Sequence, residues 1–172
     1  MRCGLAFRAG LRQRVGETSG RPEGSDLTSS RFANWTADDW RKMNDPVIAE
    51  FRANGGRVKG RRLVLLLATT GAKSGQPRIT PLNFSIDGDR LVVIASKGGS
   101  ATHPAWYLNL LANPAVTIEH GTETFRARAT TATEPERTRL YDQQVALMPF
   151  FDGYRKSVNT REIPVVVIER LV

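Results

Sequence analysis

The stretch of sequence that decides the fold begins Thr69-Thr70-Gly71-Ala72-Lys73-Ser74-Gly75-Gln76-Pro77-Arg78 and, after two predicted strands, continues as Lys97-Gly98-Gly99 and His103-Pro104-Ala105-Trp106-Tyr107-Leu108-Asn109. It contains two basic, glycine-containing loops, and the second loop leads into a helix. Glycine lets a backbone approach a ligand closely, and exposed N–H groups at turns and helix starts attract anions. Lys73, Arg78 and Lys97 add positive charges. The stretch therefore predicts an anion-binding cleft, for a phosphate group, on a small β-rich domain.

The composition limits the classes of partner. The chain has 172 residues and a net charge of +8, which is enough for one domain with a core and favours anionic partners. The basic residues are spread along the chain without a nucleic-acid-binding motif, so we expect no nucleic acid partner. A single cysteine, Cys3, excludes an internal disulfide and favours a cytoplasmic location, and without a Cys/His cluster we expect no metal site.

The first 34 residues differ in composition from the rest. Residues 16–30 hold few large apolar groups and many turn formers, so we predict a disordered or flexible extension over 1–34 and a folded domain over 35–172. Arg8, Arg12 and Arg14 interrupt the apolar positions before it, so the segment is not a signal peptide. The segment is then either a flexible tail or a stretch included because the start codon was assigned too far upstream. The alternative is a membrane-surface helix that gives a peripheral membrane contact.

The remaining pattern predicts six strands and three or four helices. Thr36 and Asp39 form a capping box for a first helix, which Pro46 is expected to break and Asn54-Gly55-Gly56 to end. Two prolines in the second strand, Pro77 and Pro81, predict that part of it lies at an edge. Short strands without βαβ alternation predict a small antiparallel barrel. The predicted strands are 62–69, 76–86, 90–96, 115–119, 124–131 and 163–169, and two further helices are predicted over 103–112 and 134–148.

Several motifs, in order, resemble the deazaflavin-dependent nitroreductase family from Trp40 to the C-terminus. They are Asn44-Asp45-Pro46, the two loops above, Ala95-Ser96 before the second loop, and Arg161-Glu162-Ile163-Pro164-Val165. The resemblance implies an α+β, mainly antiparallel fold: a six-stranded split β-barrel with flanking helices, related to the FMN-binding flavoreductases. It also implies coenzyme F420, an 8-hydroxy-5-deazaflavin that carries a phosphate and a polyglutamate tail.

The resemblance also assigns residues to the cofactor. Lys73, Arg78 and Lys97 match the family's phosphate-binding cations, and Ala72 stands where many relatives carry a further arginine. Taken by themselves, Trp106 would more often be a helix core residue and Lys73 a solvated turn residue. The full predicted cofactor-binding set is Lys73, Ser74, Arg78, Pro81, Ser96, Lys97, Gly98, Gly99 and Trp106.

The predicted function is hydride transfer from reduced F420 to a small hydrophobic acceptor: a quinone, a nitroaromatic or an activated alkene. Phe150, Phe151 and Tyr154 are the predicted substrate residues, with Tyr154 as the candidate proton donor and catalytic residue. His103 is expected to cap a helix. Two alternatives remain from the sequence: a non-catalytic carrier of a flavin, deazaflavin or other amphiphile, and an FMN-dependent reductase on the same fold. Either a monomer or a homodimer fits.

Overall fold

The computed structural model describes residue 32, residues 34–61 and residues 63–172. The predicted flexible extension over 1–34 therefore lies outside the described residues except for Phe32 and Asn34. The basic residues Arg8, Arg12 and Arg14, on which a membrane contact was predicted, lie outside them as well. None of the helices in the described part of the chain is long and apolar enough to cross a bilayer.

Six antiparallel strands close into a barrel, which confirms the predicted fold. Their order around the barrel is β1-β2-β3-β6-β5-β4, and β4 pairs with β1 to close it. The three consecutive strands β1, β2 and β3 form a meander. The strands are β1 (Val64–Thr70), β2 (Pro77–Asp87), β3 (Arg90–Ile94), β4 (Ala115–His120), β5 (Glu123–Thr131) and β6 (Val165–Arg170).

Four helices surround the barrel: α1 (Ala37–Ala53), α2 (Ala105–Ala112), α3 (Glu136–Leu147) and α4 (Phe150–Ser157). The predicted capping box starts α1, since Asp39 N–H donates to Thr36 Oγ1 at 3.2 Å and Thr36 N–H donates to Asp39 at 2.8 Å. The predicted break at Pro46 is wrong, because α1 runs through it. One lost helical hydrogen bond is offset there by the packing of Val47 and Phe51 on the barrel.

The apolar run in β1 is buried on both faces, as its composition predicts. Leu65 and Leu67 point into the barrel, where they join Trp106 of α2 in one core cluster. Val64 and Leu66 point outward and pack against α1. Helix α2 thus plugs one end of the barrel, α1 covers β1 and part of β2, and α3 with α4 covers β3 and β6.

The prolines of β2 sit where the strand has one neighbour. Residues 77–83 pair with β1, whereas pairing with β3 is confined to residues 84–87. Phe84 N–H donates to Leu63 O, on the β1 side, at 3.4 Å. Because N–H groups alternate in direction along a strand, the position of Pro81 is one whose N–H would face away from β1. On the side away from β1, no strand among the described residues pairs with residues 77–83 of β2. The predicted edge character is confirmed.

The antiparallel order brings the two basic loops to one end of the barrel. The first loop (residues 71–76) joins β1 to β2, and the second loop (residues 95–104) joins β3 to α2. Strands β1 and β3 both run toward this end, which we call the loop end. The β2–β3 and β4–β5 turns lie at the opposite end.

Candidate functional site

The first loop is anchored to α2 by a buried amide. Asn109 Oδ1 accepts from the N–H of Ala72 at 3.0 Å, and Asn109 Nδ2 donates to Thr69 Oγ1 at 3.1 Å. Within the loop, Gly71 N–H donates to Gln76 O at 2.8 Å. The base of the loop is therefore fixed, and it carries Lys73 at an exposed tip. The sequence motif contained Asn109 but assigned it no role.

A serine packs over the base of the same loop. A Cβ built on Gly71 would lie 2.5 Å from Ser74 Oγ and 3.2 Å from Gln76 O, so a larger residue there would push the hydroxyl aside. Ser74 Oγ also accepts from Gln76 N–H at 3.3 Å. The predicted cofactor residue Ser74 thus contributes to the shape of the turn, and its exposed side chain lies next to that of Lys73.

The second loop has an unusual backbone. Lys97, Gly98 and Gly99 form a short 3-10 turn with consecutive positive φ values of 49°, 61° and 79°. A left-handed conformation costs a non-glycine residue such as Lys97 about 1–2 kcal/mol, and such strain persists where neighbouring contacts determine it. Ser96 precedes this turn and is buried. The conformation of the second loop is therefore held by its contacts with neighbouring residues.

Arg161 supplies the contacts that hold the second loop. Its guanidinium donates to the carbonyl oxygens of Ala95 at 3.3 Å, Ser96 at 3.0 Å and Ser100 at 3.1 Å. It also donates to His103 Nδ1 at 3.2 Å. The sequence placed Arg161 in a motif without a role, because a contact across about sixty positions leaves no periodic signal in the sequence.

The loop is packed from two further sides. A Cβ built on Gly98 would lie 2.3 Å from Phe32 Cδ2, so the Phe32 ring rests on the bare glycine. Phe32 in turn stacks on Trp40 at 5.3 Å and meets Trp35 edge-on at 4.8 Å. Helix α4 contacts the same Lys97–Gly99 turn. Phe32, which the sequence analysis includes in the flexible extension, thus packs against the second loop and α1.

The loop end carries positive charge without counter-ions. Lys73, Arg78, Lys97 and Arg161 form no ion pair with any carboxylate among the described residues, and Lys73 and Arg78 are exposed. Burial and the nearby charge of Arg161 lower the pKa of Lys97, whose Nζ donates to Thr102 Oγ1 at 2.8 Å. Elsewhere in the described chain, seven arginines are paired with carboxylates, namely Arg41, Arg52, Arg90, Arg137, Arg139, Arg155 and Arg170. Five other described cations have no ion pair, namely Arg57, Lys59, Arg61, Arg126 and Arg128.

The three predicted substrate residues, Phe150, Phe151 and Tyr154, differ in the exposure of their rings. Phe150 is 38% exposed and stacks at 4.7 Å on Phe151, which is only 4% exposed and lies in the core under α3 and α4. Tyr141 donates its hydroxyl hydrogen bond to Phe151 O at 2.9 Å, and burial raises the pKa of Tyr141 to about 12. The Phe151 ring packs inward where α4 forms, and its substrate role stays a prediction. Phe150 and the half-buried Tyr154 stay accessible.

Two other predicted cofactor residues lie deep in the structure. Trp106 is 6% exposed and belongs to the core inside the barrel, as the alternative interpretation of its sequence position expects. Pro81 is buried opposite Leu66, on the face of the sheet that α1 covers. Arg78 pairs in register with Thr69 and so lies on the other face. Of the predicted set, the exposed or half-exposed members at the loop end are Lys73, Ser74, Arg78, Lys97 and Gly98.

The comparison with known proteins follows this geometry. A family model described as F420H2-dependent quinone reductase matches residues 40–170. The chain belongs to this family. An F420H2-dependent quinone reductase of Mycobacterium tuberculosis strain H37Rv is 42% identical over 120 residues, which cover 67% of this chain and 79% of that protein.

Solved structures agree with the F420H2-dependent quinone reductase family. An F420-H2 dependent reductase (FDR-A) superposes with a TM-score of 0.59 at 34% identity, covering 66% of this chain and all of that one. A structure described as a domain-swapped dimer gives 0.60 at 32% identity and covers 78% of this chain. The resemblance inferred from the motifs is confirmed, and these matches give no support to the FMN alternative.

The loop end of this family member fits the group that the family uses. F420 presents a phosphate and several carboxylates, and an anion of this kind needs cations that are not already neutralised. Lys73 and Arg78 meet that requirement, since both are exposed and no carboxylate in the described chain pairs with them. At the left-handed turn beside them, Gly99 is buried and Gly98 stays partly exposed next to the Phe32 ring.

Proposed function

We propose that this chain is an oxidoreductase that uses reduced coenzyme F420 to transfer a hydride to a quinone. The observation that carries the proposal is the set of cations without counter-ions on two loops at one end of the barrel. In this member of the F420H2-dependent quinone reductase family, these cations lie beside the left-handed turn of Lys97, Gly98 and Gly99. The small-molecule partners are thus F420H2 and a quinone.

Lys73 and Arg78 bind the anionic part of the cofactor in this proposal. Both side chains project from or beside the first loop, whose base Asn109 fixes. Arg78 is suited to hold a phosphate through two parallel hydrogen bonds, whereas Lys73 acts as a point charge. Lys97 contributes less direct charge, because it is half-buried and its Nζ already donates to Thr102.

The second loop and α4 position the reacting parts. When bound, F420H2 supplies a hydride from C5 of its deazaflavin ring, so the protein needs no nucleophile. Ser96, Gly98 and Gly99 of the second loop are the residues assigned to the ring, and of these Gly98 is partly exposed. Phe150 and Tyr154 of α4, which contacts this turn, give an aromatic wall for a flat apolar acceptor. Tyr154 is the proposed donor of the proton that completes quinone reduction.

A quinone is the acceptor we favour over a nitroaromatic or an activated alkene. The wall beside the turn is apolar and aromatic, and the family is named for quinone reduction.

For the assembly we propose a homodimer, because one structural neighbour is a domain-swapped dimer. Light scattering of the purified chain tests this: twice the mass of 19.0 kDa supports the dimer, and the single mass refutes it.

Fluorescence titration with F420 and with FMN tests the cofactor site. Arg78→Ala should weaken F420 binding about 10–150-fold, the equivalent of ~1.5–3 kcal/mol for a charge-assisted contact. Arg57→Ala is the matched control, because Arg57 is also exposed and free of ion pairs in the described chain but lies at the opposite end of the barrel. It should leave F420 binding unchanged. Added salt should weaken F420 binding further.

Two outcomes would contradict the proposal. Tighter binding of FMN than of F420 would remove the assigned cofactor. Equal losses from Arg78→Ala and Arg57→Ala would show that overall charge, and not the loop end, attracts the ligand.

A further inference from the structure

Arg161 is a half-buried cation with an unusual set of partners. Its hydrogen bonds go to backbone carbonyls of the second loop, to His103 and to the carbonyl of its neighbour Glu162, and no carboxylate in the described chain pairs with it. Burial lowers the pKa of Arg161, although an arginine stays charged at any physiological pH. A charge is thus held partly out of water by neutral dipoles alone. Removing a charge from water without a counter-ion costs free energy, and this cost indicates that the loop geometry fixed by Arg161 has a function.

The contact with His103 determines the state of the imidazole. A guanidinium has only N–H donors, so His103 Nδ1 must act as the acceptor at 3.2 Å. His103 is then neutral and carries its proton on Nε2. Burial first, and then the charge of Arg161, lower the pKa of His103, which favours the same neutral form.

The same guanidinium also orders the loop backbone. It occupies the carbonyl oxygens of Ala95, Ser96 and Ser100, so these oxygens are held toward Arg161. Within the turn, Gly99 N–H donates to Ser96 O and Ser100 N–H to Lys97 O. A surface from which carbonyl oxygens are withdrawn repels an anion less, which suits the site proposed above.

We propose that Arg161 is a positioning residue that holds the second loop and neutral His103 in the arrangement that binds an anionic group of the cofactor, and that protonation of His103 releases this arrangement. The inference rests on the proposed function. Arg161 acts through the loop and through His103, and it is not assigned a contact with the cofactor.

The charged surroundings of His103 define what protonation does. Arg161 is the cation whose charge acts on it, and the ring of Tyr107 lies 5.1 Å from the imidazole. No carboxylate among the described residues bonds to His103. A protonated His103 could not accept from Arg161 and would face its positive charge, so the hydrogen bond between Arg161 and His103 would be lost.

The direction of the pH effect separates this role from a simple charge effect. If His103 only added charge, its protonation would strengthen binding of the anionic F420. If it positions the loop, F420 affinity falls as the pH drops below the ordinary histidine pKa of ~6.5 and through the lowered pKa of His103. His103→Asn keeps an acceptor in place of Nδ1 but does not titrate. The difference between the two pH profiles therefore isolates His103 from the ionisation of F420 itself.

The first experiment needs no cofactor. Nitrogen-15 NMR of the full chain reports the protonation state of each imidazole nitrogen, and His120 is the chain's only other histidine and serves as the internal reference. In the wild type, His103 should show an unprotonated Nδ1 and a protonated Nε2. In Arg161→Lys the two tautomers should mix and the pKa of His103 should change, while the signals of His120 stay in place.

The second experiment measures F420 affinity. Arg161→Lys keeps the charge but loses the fork, and it should weaken F420 binding about tenfold, as expected for one lost charge-assisted contact. Arg137→Lys is the matched control, since Arg137 also donates to a nearby carbonyl, that of Ile163, at 3.3 Å but does not touch the second loop. It should change the affinity less than twofold, as expected for a partly exposed contact remote from the ligand.

Several results would overturn the inference. These are a protonated Nδ1 on wild-type His103, an equal effect of Arg161→Lys and Arg137→Lys, or binding that strengthens below pH ~6 only when His103 is present. If Arg161→Lys does not fold, the wild-type tautomer and the His103→Asn profile still decide. Failure of the wild type to bind F420 would refute the proposed function instead.

Discussion

Replacing Gly98 with alanine probes how closely the second loop is packed. Gly98 has φ 61°, and a Cβ there would lie 2.3, 2.7 and 3.0 Å from three atoms of the Phe32 ring. Gly88, in the β2–β3 turn, has nearly the same φ of 65° but nothing within 4 Å of the same added atom. The two substitutions therefore share the backbone strain, and only one of them meets a neighbour.

The expected difference follows from those distances. Alanine in the left-handed conformation costs about 1–2 kcal/mol at either position. Carbon atoms pack at about 3.5–4.0 Å, so at Gly98 the Phe32 ring must move by more than about 1 Å. That movement disturbs its contacts with Trp35 and Trp40, each worth about 0.5–1.5 kcal/mol. We expect unfolding free energy to fall by about 2–5 kcal/mol in Gly98→Ala and about 1–2 kcal/mol in Gly88→Ala.

Urea denaturation of both variants measures this difference, and a Phe32→Ala background tests its cause. Without the ring, Gly98→Ala and Gly88→Ala should agree within about 0.5 kcal/mol, the range in which uncoupled effects add. Two results would refute the packing described here: equal costs for the two variants in the wild-type background, or a difference that survives the removal of Phe32.

Three further predictions concern other parts of the molecule. Asn109→Leu should lower the unfolding free energy by about 1–3 kcal/mol, because two hydrogen bonds are lost. It should also weaken F420 binding, because the first loop is no longer anchored. Denaturation and F420 titration of one preparation test both effects, and an unchanged F420 affinity would contradict the effect on binding. Hydrogen bonds from Arg139 and then Arg90 lower the pKa of Asp87, so Asp87→Asn should destabilise the fold at neutral pH. A lowered pKa stabilises the fold only above the ordinary carboxyl pKa of ~3.9, so this difference should shrink as the pH falls below it, and a pH-independent difference would argue against the ion pairs. Phe150→Ala should raise the KM for a quinone at little cost in melting temperature, whereas Phe151→Ala should cost about 3–5 kcal/mol of stability; the reverse pattern would place the substrate wall on Phe151.

Much of the fold could be predicted because its signals are local. The apolar run of β1, the turn residues between strands and the capping box at Thr36 each act within a few positions. The prolines of β2 also gave a correct expectation, since a missing N–H restricts where a strand can have a neighbour. The two loops could be joined into one site because antiparallel strands return alternate connections to the same end.

Packing decides the structure in two places where local sequence preference does not. Pro46 removes one hydrogen bond from α1, but the barrel surface holds both halves of the helix in line. The segment from Phe150 forms a full helix, α4, and this turns Phe151 inward. A pair of adjacent aromatic residues indicates that one ring is buried, but only the helix phase selects which one.

Arg161 shows what a sequence alone does not reveal. Nothing in its neighbours distinguishes an arginine that binds backbone carbonyls from an arginine that binds a carboxylate. Its partners lie about sixty residues away, at Ala95, Ser96 and Ser100, and they are peptide groups that every residue carries.

The reductase assignment is tested most directly by mixing the purified chain with F420H2 and a quinone in the absence of oxygen. We predict that the absorbance and fluorescence of oxidised F420 appear together with the quinol, that Arg78→Ala slows the reaction at low F420H2, and that deuterium at C5 slows it measurably. F420H2 that stays reduced with every quinone tested, or quinone reduction that requires added FMN, would contradict the account.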